Sequence, residues 1–185
     1  NASRSRASAS TPPQQWSARA LGIASSHEDA GLELRGLAQS LSVDHFALRW
    51  PDALVKSRRV LELAELVDEL HWQAYASYRA AFVLTHTGRI EEASGQVQHN
   101  LAVAERLRDR GLLADALYVK AHLAQLRGQW EEARAQSDRG LALAAGHLPL
   151  LHARAVLEYE TGNDVAGGQY VQRLIDADRD AKPYP

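Results

Sequence analysis

Apolar residues recur along this chain at spacings of three and four, the period of one face of an α-helix. Leu101, Ala104 and Leu107 form one such run, and Leu117, Ala121 and Ala124 another. The runs themselves repeat. "LGIAS" at 21–25, "LELAE" at 61–65, "LAVAE" at 101–105 and "LALAA" at 141–145 fall forty residues apart, and "GRIEEA" at 88–93 returns forty residues later as "GQWEEA" at 128–133. A fixed period of this length marks stacked helical hairpins, each of which buries its apolar stripe against its neighbours. The pattern predicts an all-α superhelix of about four hairpins with a period of about 40 residues.

The echoed motif reads as a turn followed by a helix start. Gly88, Gly128 and Gly162 stand just past the end of one helix, where a left-handed cap suits glycine. The paired glutamates Glu91–Glu92 and Glu131–Glu132 then occupy the first turn of the next helix, at the positive end of its dipole. "LRWPDA" at 48–53 fills the same slot in an earlier unit, with Pro51 tolerated in a first helical turn. The last unit is shorter, with 34 residues from Gly128 to Gly162, and its second helix is expected from about Asp164 to Asp178. Residues 1–12, opening on an "NAS" that reads as a tag remnant, are expected to be a disordered lead-in; 13–180 form the repeat domain, and 181–185 a proline-ended tail. Methionine is absent and no polar capping helix precedes Pro185, so the segment is expected to be a piece of a longer chain.

Small residues sit at fixed distances from these turns. Ala81, Ala121 and Ala155 lie seven before the glycine, and Ala93, Ala133 and Gly167 lie five after it. This arrangement resembles tetratricopeptide repeats, although Lys120 and Arg154 stand where such repeats usually carry an apolar residue. The stretch "AVAERLRDRGLLADALYVKAHLAQLRGQWEEARAQSDRGLALA", with "LEYETGN" and "RLIDADRDAKP", is similar to the repeat region of large bacterial signalling proteins. In those proteins an ATPase module precedes the repeats, and a LuxR-type DNA-binding domain or a nucleotide cyclase lies elsewhere. The resemblance implies a regulatory context and lends no catalytic residue to this segment.

Composition narrows the function classes. A formal net charge of −2 provides no clustered basic surface for direct nucleic-acid binding, and no apolar run is long enough for a membrane span. The lack of cysteine fits a cytoplasmic protein and rules out disulfides. No phosphate-binding loop, nucleophile elbow or H-E-x-x-H motif is present, so neither catalysis, a cofactor nor a metal site is expected from the eight histidines. The mixed charges of Glu105 to Arg110 read as a solvated face, and Trp16, Trp50, Trp72 and Trp130 as packing anchors between helices.

Recognition is therefore expected on the concave face, lined in such arrays by the first helix of each hairpin. Counted back from the turn glycines, its slots hold Tyr75, Tyr78, Phe82 and His86, then Asp115, Tyr118, His122 and Gln125, then His152 and Tyr159. Aromatic rings with polar tips suit a protein or peptide partner, or another domain of the same chain. The alternative is a ligand-sensing domain that gates an attached ATPase, DNA-binding or cyclase domain. A cavity of roughly 300 Å³ or more would favour the sensor, and an open groove the scaffold.

Overall fold

The computed structural model describes residues 29–180 and the isolated positions 15, 19, 22 and 23. The expected lead-in, the tail and Trp16 lie outside the described residues. Between residues 29 and 180 the described chain forms eight helices joined by short turns: α1 (Ala30–Phe46), α2 (Trp50–Leu66), α3 (Leu70–His86), α4 (Ile90–Leu107), α5 (Arg110–Leu126), α6 (Trp130–Leu143), α7 (Leu148–Glu160) and α8 (Asp164–Asp180). They pair as four hairpins, α1/α2 to α7/α8, as the forty-residue period predicts. Helix α8 runs two residues past the expected Asp178.

One turn geometry closes nearly every helix. Leu48, Asp68, Gly88, Arg108, Gly128 and Gly162 all have positive φ, between 53° and 76°. Each is followed by a residue whose N–H donates to the carbonyl five positions back, as in Arg49 to Asp44 (2.9 Å), Glu69 to Ala64 (2.8 Å) and Arg89 to Leu84 (2.9 Å). The bond satisfies carbonyls that a helix end would otherwise leave without a partner. Glycine fills the turn in three hairpins, and Leu48 fills it in the first despite the cost of a Cβ there. The junction between α6 and α7 departs from the scheme, since Ala144 closes α6 with φ −140°. There His147 caps α7, its Nδ1 accepting from Leu150 N–H at 3.2 Å.

Alanine makes the close packing possible. Ala81, Ala121 and Ala155 on the first helices, and Ala93 and Ala133 on the second, are at most 4% exposed. At Gly140 a Cβ would stand 2.4 Å from Leu150 Cδ1, so α6 and α7 approach where only hydrogen fits. Consecutive helices pack along the whole array. Beyond that, the first helices touch each other in succession, α1 on α3, α3 on α5 and α5 on α7, whereas no two second helices among the described residues meet. Closer spacing on one side curves the array, and the first helices therefore line its inner face.

The terminal hairpins hold buried charge where the middle ones hold apolar side chains. In the register set by the turns, Asp44 and Glu158 correspond to Leu84 and Ala124. Asp44, 2% exposed, pairs with both Arg49 and Lys56. Glu158, also 2% exposed, accepts from Arg154 Nε (2.6 Å) and Arg134 Nε (3.0 Å). Arg154 is thus buried as an ion-pair partner, bonded further to Asp138 at 2.5 Å. Lys120 keeps its ammonium half-exposed, 3.9 Å from Glu132. Two tryptophans behave as expected, half-buried Trp50 and Trp72, while Trp130 is 39% exposed and anchors little.

Candidate functional site

The inner helices bring four of the ten expected groove residues, Phe82, His86, Tyr118 and His122, into one row of rings. Phe82 stacks on His86 with centroids 4.0 Å apart, His86 meets His122 at 5.3 Å, and His122 lies parallel to Tyr118 at 6.4 Å. The row crosses from α3 to α5 because the shared forty-residue register places like slots side by side. It extends toward α1 through residues that the glycine-based register missed. His45 packs on Phe82 at 4.7 Å and on Phe46 at 5.6 Å, and Trp50 caps His86 at 6.2 Å. A register carried back to Leu48, which fills the glycine slot, would have found Phe46 and His45.

Tyr75 and Tyr78 stand beside this row and are half-buried against the core. The Tyr75 hydroxyl bonds Ser42 Oγ at 2.5 Å and the Ala38 carbonyl at 3.3 Å, tying α3 to α1. Arg79 lies over both tyrosines and Phe46, its guanidinium carbon 5.1 Å from the Tyr75 centroid, 5.7 Å from Tyr78 and 5.3 Å from Phe46. His152 is exposed and Tyr159 is 47% exposed, and neither makes a ring contact with the row. Tyr159 instead covers Gly167 of α8, where a Cβ would meet its ring at 2.9 Å. Gln125 is buried and bonded to Glu160 at 2.5 Å, and Asp115 accepts from His147 Nε2 at 2.9 Å. These two slots are engaged within the fold.

Burial sets the ionisation of the row. Desolvation, then the charges of Arg79 and His86, lower the pKa of His45 to about 4, and its buried Nδ1 has no hydrogen-bond partner. Burial likewise lowers His122 and raises Tyr118, while Tyr78 is raised by burial and by the Asp115 carboxylate. His86 donates from Nδ1 to the Phe82 carbonyl at 2.8 Å in the tautomer that fits this contact. At neutral pH, buried His45 and half-buried His122 present uncharged rings. The outer edge of the row is more open: Phe46 is 75% exposed, Leu126 is 53% exposed, and His86 between them is exposed.

Other chemistry is sparse. Among the described residues no three His, Asp or Glu side chains come together as a metal-binding set, and no helix is long and apolar enough to cross a membrane. A cleft of about 240 Å³ opens between α4 and the α5/α6 hairpin, lined by Ser94, Leu101, Lys120, Arg127 and Glu132 among others. It shares no residue with the ring row.

No family model matches this chain, and no curated protein matches it. Solved structures do. MamA from Desulfovibrio magneticus RS-1, from residue 41 to its end, aligns with a TM-score of 0.58 at 13% identity, covering 95% of this chain and 100% of that one. A double mutant of RS-1 MamA aligns with a TM-score of 0.56 at 14% identity and the same coverage. The likeness spans the array and is one of architecture: the fold is a tetratricopeptide-like superhelix of helical hairpins.

Proposed function

We propose that this chain is a non-catalytic interaction module that binds a protein or peptide partner along the ring row of its inner helices. The observation that carries the reading is the open edge of Phe46, His86 and Leu126, continuous with stacked rings that are fixed on three successive first helices. Rigid rings held in advance lose little entropy on binding, and exposed apolar side chains in one line are a common mark of a protein-binding surface. Tyr75, Tyr78, Phe82, Tyr118 and His122 form the floor in this reading, while His152 and Tyr159 extend it toward α7. The resemblance to bacterial signalling proteins supports a cytoplasmic regulator as the setting, with the partner a separate protein or another domain of the same chain. The cleft near α4 is smaller than the roughly 300 Å³ typical of small-molecule sites, which favours a scaffold over a ligand sensor.

The test is site-directed photocrosslinking in the native host, with the crosslinking residue at position 86 in the groove or at exposed position 102 on α4. A partner trapped from 86 and not from 102, and lost when Phe46 and Leu126 are changed to Ser, is expected. Equal trapping from both positions would refute the groove as the binding face.

A further inference from the structure

The cation in this groove pairs with no anion among the described residues. Four arginines among the described residues are buried or half-buried: Arg49, Arg79, Arg134 and Arg154. Three are paired with carboxylates, Arg49 with Asp44, Arg134 with Glu158 and Glu131, and Arg154 with Glu158 and Asp138. Arg79 makes no hydrogen bond or ion pair with any described residue, and its buried Nε lacks a partner. Its register position in the next hairpin is filled by Val119, 2% exposed, so a guanidinium stands where that hairpin places a core side chain. Three rings hold it there through cation–π contact, worth about 0.5–2 kcal/mol, which only partly offsets the lost hydration. A second polar atom in the same cluster, Nδ1 of His45, is also buried without a partner. His45 itself is 7% exposed.

We infer that Arg79 is the anchor for a carboxylate side chain of the partner, an Asp or Glu within an extended peptide whose neighbouring apolar residues lie on the rings. This rests on the groove reading above. Rings pack against the guanidinium face, and a carboxylate matches the in-plane donors of its Nη1/Nη2 edge in a bidentate fork. The charge balance favours a carboxylate over a phosphate. Arg79 is the one half-buried guanidinium without a carboxylate partner among the described residues, the described lysines are engaged elsewhere, Lys56 with Asp44 and Lys120 with Glu132, and the groove's own carboxylate Asp115 stands near Tyr78. A phosphate near −2 would need more positive charge than this.

Three fluorescein-labelled peptide pools test the inference, identical in degenerate apolar and neutral polar flanks and carrying Glu, Gln or phosphoserine at the fixed central position. Binding to the full chain is read by fluorescence anisotropy. The Glu pool is expected to bind about tenfold more tightly than the Gln pool, a preference that shrinks with added NaCl. Arg79→Gln should abolish the preference, and Arg79→Lys should restore only part of it because the fork is lost. The salt dependence of the unmodified chain keeps the test decisive if Arg79→Gln proves poorly folded. Equal affinity for Glu and Gln pools, with both lost in a Phe46→Ser, Leu126→Ser variant, would overturn the carboxylate anchor and leave the groove standing. Preference for phosphoserine alone would replace it with a phosphopeptide site. No binding of any pool would remove both readings.

Discussion

Glu158→Leu measures how much the buried ion cluster at the C-terminal end holds the last two hairpins together. The carboxylate is 2% exposed and accepts from Arg154 Nε at 2.6 Å, from Arg134 Nε and Nη2 at 3.0 and 3.1 Å, and from Asn163 at 3.3 Å. Removing one partner of a buried pair typically costs about 3–5 kcal/mol, because the other charge is left without compensation. Here Arg154 keeps Asp138 at 2.5 Å and Arg134 keeps Glu131 at 2.7 Å, so the low end, about 3 kcal/mol, is expected. For an array of this size that corresponds to a melting temperature lower by roughly 6–12 °C. The second hairpin shows how the same place is filled without charge, by Ala80 and Leu84, 5% and 3% exposed. Arg154→Ala added to Glu158→Leu copies that arrangement and should recover about 2 kcal/mol of the loss. Urea unfolding by circular dichroism reads Glu158→Leu, Arg154→Ala and the double variant. Hydrogen bonds from Arg134 and then Arg154 hold the Glu158 carboxyl below its usual pKa. Its contribution is therefore present above the unfolded value near 4.5 and is lost as pH falls through the lower folded value. The gap between wild type and Glu158→Leu should close in strong acid. A single-variant cost below about 1 kcal/mol at pH 7, or a double variant as unstable as the two singles summed, would refute the reasoning.

Four further outcomes follow from other positions. His45 is buried with its pKa lowered to about 4, so the unfolded chain takes up a proton that the folded one refuses between pH 6.5 and 4. That should weaken the fold by up to about 3 kcal/mol across this range, and His45→Phe should flatten this part of the pH profile in urea melts. Leu48 has φ 57° and is 66% exposed, so Leu48→Gly should raise stability by about 0.5–1 kcal/mol, seen as a higher melting temperature. Gly140→Ala should lower it by about 1–3 kcal/mol, because the new methyl would stand 2.4 Å from Leu150 Cδ1. Gly95→Ala, with nothing within 4 Å of the added carbon, should raise it by about 0.5–1 kcal/mol in the same calorimetric scan.

The architecture was readable because it is written twice over, in helical spacing and in the forty-residue echo. Gly88, Gly128 and Gly162 mark real left-handed turns, and Ala81, Ala121 and Ala155 mark real close contacts. Side-chain partnerships were less legible. Arg154 violates the apolar pattern, and its resolution lies in Arg134, Asp138 and Glu158, residues up to 24 positions apart that only packed helices bring together. Phe46 and His45 were missed for a simpler reason: the groove slots were counted from glycines, and in the first hairpin a leucine does that work; Arg79 stands one position off the Tyr78 slot counted from Gly88. Tyr159 occupies its expected slot, yet the missing side chain of Gly167 draws it over α8.

The left-handed turns at 48, 68, 88, 108 and 128 are spaced by 20 residues, half the sequence period. The chain therefore advances in single helices, and the hairpin is two equal strides that differ only in which side they face. An insertion or deletion of forty residues would lengthen or shorten the groove and leave its lining in place. One of twenty would close with the same turns and yet turn the array inside out beyond that point, sending the ring-bearing helices to the convex side. Parity of helix number, more than length, is what lineages elongating such a chain must conserve.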